Sequence, residues 1–261
     1  MERGRGFLAQ SDGRKTDLLL KSWETLPEAL RTEEVRPYYE RLRPRKAALL
    51  FKRLMDIVLS VLLLVLLSPF MLIIAAAIKL DSKGSVFFRQ VRVTQYGREF
   101  RIFKFRTMVQ DAEQKGSRVT VLNDDRITRV GARIRRLRLD EIPQLLNVLT
   151  GDMSFVGARP EVPKYVAQYT PTMMATLLLP AGITSLASIR FKDEDTLLQQ
   201  AETADEVYVR DILPQKMKYN LAYLQEFTAL KDIGLLFQTA FHVLGLAKES
   251  PEENEARETK G

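Results

Sequence analysis

Apolar and polar positions are sharply segregated along this chain. From Ile57 to Ile78 the sequence IVLSVLLLVLLSPFMLIIAAAI runs for 22 residues without a charge, longer than the ~18 that mark a membrane-helix candidate. Some fifty mostly polar residues precede it, which argues against a cleaved signal peptide. Basic residues flank both ends: Arg43, Arg45, Lys46, Lys52 and Arg53 before, Lys79, Lys83, Arg89 and Arg92 after. Because basic residues mark the cytoplasmic side, a spanning helix should carry them mainly at one end. Near the middle, Ser68-Pro69 removes a backbone donor and kinks or breaks the helix. A kinked helix returning to the face it entered and a kinked spanning helix both fit this pattern.

The remaining patterns predict a compact domain after the apolar run. SVFFRQVRVTQYGREFRIFKFRTM reads as two strands joined by a turn at Gln95-Tyr96-Gly97. A period of two puts Phe100, Ile102, Lys104, Arg106 and Met108 on one face of the second strand, apolar at first and cationic toward its end. ITRVGARIRRLRL spaces Ile127, Val130, Ile134 and Leu137 as the apolar stripe of a helix. Asp140 stands where the N-cap of a following helix belongs, with Pro143 in its first turn and Gly151 as its stop. Residues 205–246 read as two helices whose apolar faces suit a domain or membrane surface. In the polar N-terminal stretch, helices are expected near Leu18–Leu30 and Val35–Arg43, and the charged end, KESPEENEARETKG, is expected to be disordered.

Composition narrows the chemistry. Among 261 residues there are 40 Lys+Arg against 33 Asp+Glu, one His and no Cys. Disulfide scaffolds, thiolate zinc sites and cysteine catalysis are excluded. The lone His242 lies in an apolar C-terminal segment and reads as structural. Between Lys79 and Arg138 there are 16 basic and 6 acidic residues. Such a concentration of arginine seeks anions: nucleic-acid phosphates, lipid headgroups or a small phosphorylated substrate. No helix–turn–helix, zinc knuckle or paired stacking motif favours nucleic acid.

LRLDEIPQLLNVLTGDMSFVGARPE sets the pair Asp140-Glu141 directly after the arginine-rich helix. On local pattern two roles stay open: Asp140 as cap with Glu141 complementing the dipole, or a carboxylate pair at an anion site. Amid so many cations both carboxylates are expected to be ionised.

From Lys52 to about Thr239 the chain resembles the bacterial sugar transferases that move a sugar-1-phosphate from a nucleotide diphosphate sugar to polyprenyl phosphate, the monotopic phosphoglycosyl transferases. The resemblance rests on KRLMDIVLS, LLSPF, KLDSKGSVFFRQVRV, FRIFKFRTMVQDAE, NDDRITRVGARIRRLRLDEIPQLLNVLTGDMSFVGARPE and GIT, in that order. It implies that Asp140 attacks the phosphate next to the sugar and forms a covalent intermediate, that Glu141 holds Mg²⁺, and that Lys104, Arg135 and Arg159 bind substrate phosphate. Arg106 belongs with this basic set on its strand position, and Arg190 stands loosely where the family has a later arginine. The resemblance also implies that Ser68-Pro69 makes the helix re-entrant.

The resulting expectation is an α/β, mostly α fold. It comprises a polar extension (1–50), a re-entrant membrane helix (51–80), a small cytoplasmic catalytic domain with a short β-hairpin and membrane-surface amphipathic helices (81–247), and a disordered tail (248–261). The expected partners are a nucleotide diphosphate sugar (UDP in the first instance), polyprenyl (undecaprenyl) phosphate and membrane lipid, without nucleic acid and with a homodimer left open. The expected place is the cytoplasmic face of the bacterial inner membrane, at the first membrane step of polysaccharide or glycoconjugate assembly. The alternative is a non-catalytic membrane scaffold of a polysaccharide-assembly complex.

Overall fold

The computed structural model describes residues 20–110, 126–191 and 204–243. The expected tail at 248–261 lies outside them, and so does the side chain of His242.

The N-terminal stretch forms two single 3₁₀ turns, Trp23–Thr25 and Glu28–Leu30, where a helix near Leu18–Leu30 was expected. Pro27, extended at φ −51° and ψ 143°, separates them and corrects that expectation. Helix α1 (Arg36–Leu42) follows as anticipated. Leu20, Leu26, Leu30, Val35, Tyr39 and Leu42 enter the same buried cluster as Val93, Tyr96, Phe100, Leu178 and Leu224, so this stretch is a layer of the domain core.

Helix α2 (Lys46–Asp81) is 36 residues long. At about 1.5 Å per residue it measures roughly 54 Å. Pro69 sits inside it without ending it, so the expected break is a proline within continuous helix. A proline leaves the carbonyl four residues earlier without its donor. Here that is Val65, and the Ser68 hydroxyl donates to it at 2.9 Å. Among the described residues α2 is the one helix long and apolar enough to cross a membrane. One side of its middle is exposed, with Val65 and Leu72 each 71% exposed, while Leu63, Leu64 and Leu67 are half-buried against the core. Both ends, however, rest on one body. Lys52 and Asp56 are buried near one end, while Ile74 and Ile78 join Phe105 and Ile134 near the other. Asp81 accepts the Val130 backbone N–H at 3.0 Å.

The hairpin forms as its alternation predicts. Strands β1 (Phe87–Val93) and β2 (Glu99–Phe105) pair antiparallel, with Phe87 opposite Phe105 and Val93 opposite Glu99. Asn147 braces β2 by accepting from the Phe103 N–H at 2.8 Å and donating to the Arg101 carbonyl at 3.1 Å. Helix α3 (Arg129–Arg136) is capped by the Thr128 side chain and buries Ile134, although Leu137, at the end of the expected stripe, is 58% exposed. Helix α4 (Gln144–Thr150) ends at Gly151, whose φ of 86° is the left-handed stop expected there.

Strand β3 (Met153–Val156) pairs parallel with β4 (Ala181–Thr184). Just beyond β3, Gly157 and Gly182 approach so closely that neither has room for a Cβ. Helix α5 (Leu186–Arg190) follows β4. A π turn at Tyr208–Ile212 leads into α6 (Leu213–Glu226), and α7 (Ala229–Val243) follows, matching the two expected C-terminal helices. Leu213, Met217, Tyr223 and Leu224 of α6 face the core, whereas Leu230, Phe237 and Phe241 of α7 are exposed.

Candidate active site

Three segments converge on one carboxylate. The first is β2, whose alternation brings Lys104 to the site with its Nζ 2.9 Å from Glu141 Oε1. The second is the turn between α3 and α4. Arg138 takes a left-handed conformation (φ 54°) and reverses the chain into a 3₁₀ turn, Leu139–Glu141, that carries Asp140 and Glu141. Asp140 therefore does not cap α4: Pro143 occupies that position, and Asp140 sits one short turn earlier. The proline fixes where α4 begins, and the left-handed Arg138 forbids a continuous run from α3. The third is the Gly157-Ala158-Arg159-Pro160 loop after β3. Both terminal nitrogens of Arg159 donate to Glu141, NH1 to Oε2 at 3.3 Å and NH2 to Oε1, and NH1 also reaches the Ile183 carbonyl at 3.4 Å.

Electrostatics then split the two neighbouring carboxyls. Burial alone would raise Glu141, but Arg159 and Lys104 outweigh it and hold its carboxyl far below the usual carboxylate range. For Asp140 the balance reverses. Burial lifts it above its ordinary value, Glu141 adds to the rise, and Lys104 and Arg135 only partly oppose it. The cations around the pair therefore act unequally, on Glu141 far more than on Asp140. Lys104 is lowered by burial, against the pull of Glu141. Adjacent carboxyls pushed apart in this way are suited to different roles. Glu141 is held as an anion, while Asp140 is the more basic of the two.

A pH effect follows from Glu141. Its folded value lies below its ordinary 4.5, so its contribution to stability is complete above that pH and is lost as pH falls toward the folded value. Melting temperatures of the wild type are expected to drop from about pH 5 to about pH 3 more steeply than those of Glu141→Gln. Equal slopes would show that the Glu141 ion pairs contribute nothing to the fold.

The other expected residues divide. Arg135, in α3, is half-buried and acts on Asp140 through its charge. Arg106 is buried and does not join the cluster. Its NH1 donates to the Lys83 carbonyl at 2.5 Å, and its NH2 to the carbonyl (2.8 Å) and hydroxyl (3.0 Å) of Ser82. It ties the end of β2 to the end of α2 and is not placed to bind a phosphate. Arg190 is exposed in the last turn of α5, apart from the Lys104–Glu141–Arg159 contacts.

Two groups behind Arg159 were not anticipated. Arg92 donates to the Pro160 carbonyl at 3.0 Å. Glu161, buried, accepts from the Tyr208 hydroxyl at 2.6 Å with Lys216 Nζ 3.6 Å away. Glu161 belongs to the GARPE motif, which is a signal of a kind, but its partners sit in and after a π turn that sequence periodicity does not reveal.

Several named proteins are similar to this chain in sequence. A protein from Aeromonas hydrophila named UDP-N-acetylgalactosamine-undecaprenyl-phosphate N-acetylgalactosaminephosphotransferase is 38% identical over 206 residues, covering 78% of this chain and 46% of its own. A Klebsiella pneumoniae UDP-glucose:undecaprenyl-phosphate glucose-1-phosphate transferase is 38% identical over 198 residues, 74% of this chain and 40% of its own. An exopolysaccharide production protein from Rhizobium leguminosarum bv. phaseoli is 49% identical over 112 residues, 42% of this chain and 56% of its own. The chain thus spans less than half the length of the first two. The family description "Bacterial sugar transferase" matches residues 47–245, a stretch that contains α2, the carboxylate pair and both clamping cations, and the chain belongs to that family.

Proposed function

We propose that the protein is a polyprenyl-phosphate glycosyl-1-phosphate transferase that works through a covalent intermediate on Asp140. The observation that carries this reading is the split pair: a more basic, half-buried Asp140 beside a Glu141 neutralised by Lys104 and Arg159. A carboxylate oxygen of Asp140 attacks the phosphorus next to the sugar, and the bond from that phosphorus to the diphosphate bridging oxygen breaks. The nucleoside monophosphate leaves with that electron pair. A phosphate oxygen of polyprenyl phosphate then attacks the same phosphorus and displaces Asp140 as a free carboxylate. Lys104 and Arg159 meet the phosphate charge on the substrate, for which the Glu141 carboxylate stands in here. The printed names of the relatives support UDP as the nucleotide and undecaprenyl phosphate as the acceptor.

Mg²⁺ fits this donor set. It favours one or two carboxylates completed by phosphate and water oxygens, and among the described residues no group of three or more acidic or histidine side chains forms a site of its own. Glu141 would hold it, since the substrate phosphates give Lys104 and Arg159 other anions to bind. Its contribution when bound is to neutralise charge on the phosphoryl oxygens.

The membrane arrangement follows from α2. Both of its ends pack on one body while a broad apolar side of its middle is exposed, which supports a re-entrant helix with the domain on the cytoplasmic face of the inner membrane. Cysteines introduced at Lys46 and Lys83, in a chain with none of its own, are expected to resist an impermeant reagent equally in intact cells. Labelling at Lys46 alone would show a spanning helix. Pro69→Ala restores a backbone donor and is expected to shift some molecules toward spanning.

The decisive test of the reaction omits the acceptor. With UDP-sugar and Mg²⁺ alone, up to about one equivalent of UMP should appear as a burst, and the protein should gain the mass of one sugar phosphate. Release of UMP only after lipid acceptor is added, with no trapped adduct, would replace the covalent route with direct transfer.

A further inference from the structure

KRLMD, at the start of the membrane segment, plays no part in the chemistry above, yet it makes a dense set of buried polar contacts. Lys52 is 3% exposed and Asp56 2%. Lys52 Nζ donates to the Val156 carbonyl at 2.7 Å and to Asp232 Oδ2 at 2.5 Å. Asp232, fully buried on α7, also accepts from the Tyr223 hydroxyl of α6 at 2.8 Å. One turn further along α2, Asp56 Oδ1 accepts from the Ser154 hydroxyl at 3.1 Å and the Phe155 N–H at 3.0 Å. Between them, Arg53 donates to the Val148 carbonyl at 2.6 Å and the Leu149 carbonyl at 2.9 Å, at the end of α4.

Two features set this apart from simple adhesion. Buried ion pairs are a poor source of net stability, and apolar residues of the same volume often serve as well. What they supply is direction. Here three consecutive β3 residues and the last turn of α4 are all bonded to one turn of the membrane helix. Those are also the elements that flank the site: Asp140 and Glu141 lead into α4, and Arg159 lies three residues past Val156. The cluster has further ties that do not pass through Lys52, Arg53 or Asp56: Glu141 to Lys104 and Arg159, Arg159 to Ile183, Pro160 to Arg92, and Asn147 to β2.

We propose that Lys52, Arg53 and Asp56 are positioning residues that fix the catalytic body against the membrane helix, and so set the height of Asp140 relative to a phosphate held at the bilayer surface. This rests on the transferase reading for its second half-reaction, in which the acceptor is a lipid; the donor half-reaction uses a soluble substrate and should not need the setting.

The test uses the full chain in lipid nanodiscs. Lys52→Met, Tyr223→Phe, Asp232→Leu and Asp56→Asn combined remove the buried charges together, with the asparagine still able to accept from Ser154 and Phe155; Arg53→Met is the second variant. Spin labels at Val58→Cys and Ala167→Cys, both exposed in the present structure, report the distance between membrane helix and body. In the parent a single narrow distance is expected, and in each variant a shifted or broadened one. The acceptor-free UMP burst should stay within about twofold, while turnover with polyprenyl phosphate falls about tenfold or more, since a misplacement of about 1 Å is enough for such losses. An unchanged distance, or burst and turnover falling in parallel, would overturn the proposal. If the parent shows neither burst nor turnover, the transferase reading fails, and the distance measurement still decides whether these residues position the body.

Discussion

Asp140→Asn is expected to lower steady-state turnover by about three orders of magnitude or more, because an amide of the same shape does not attack phosphorus. The fold should not suffer. Asp140 makes no capping hydrogen bond, and burial lifts its carboxyl above the ordinary value, which means that the folded protein disfavours its charge. By linkage, an ionised Asp140 costs stability as pH rises from the ordinary 3.8 through the folded value, and asparagine removes that cost. At neutral pH the variant should therefore melt at or above the wild-type temperature while the UMP burst disappears. Nucleotide-sugar affinity should remain near normal, since Lys104, Glu141 and Arg159 are untouched. Residual activity above about one per cent would remove Asp140 from the nucleophile's role. A lowered melting temperature would instead show that its charge serves the fold.

Much of this site was legible because its chemistry is carried by local pattern. The resemblance pointed to Lys104, Glu141 and Arg159, and the structure brings the three together. What was not legible depends on long-range burial or on backbone breaks. Asp140 reads as a helix cap until Arg138 turns left-handed and Pro143 takes the cap position of α4. Its upward shift is set by burial against other segments, whereas composition sees only the surrounding arginines. Arg106 and Lys104 share a strand face by period two, yet one is spent on the carbonyls of Ser82 and Lys83 and the other on Glu141. Nothing in a two-residue repeat distinguishes them. The core role of residues 20–42 was likewise hidden: Pro27 and two 3₁₀ turns interrupt the first half, and the burial of the whole stretch depends on partners distant in sequence.

Arg159→Lys keeps the charge at the clamp and is still expected to be damaging. In the structure the guanidinium spans both oxygens of Glu141 and also reaches the Ile183 carbonyl, three acceptors in different directions. A planar fork meets a carboxylate or phosphate at two points, whereas an ammonium is a single point charge on a flexible stem. Losing one charge-assisted bond in a partly desolvated site costs about 2–3 kcal/mol, or roughly 30- to 150-fold in kcat/KM. The loss should fall on both half-reactions, because the same phosphoryl group sits between Lys104 and Arg159 when Asp140 attacks it and when the lipid phosphate removes it. That separates Arg159 from the Lys52 anchor, whose removal should spare the acceptor-free burst. It also separates Arg159 from a residue that merely neutralises Glu141, for which lysine would suffice. Arg159→Lys turnover within about twofold of wild type, measured with both substrates saturating and again with the nucleotide sugar limiting, would therefore reduce Arg159 to a counter-ion of Glu141 and leave Lys104 as the group that holds the phosphate.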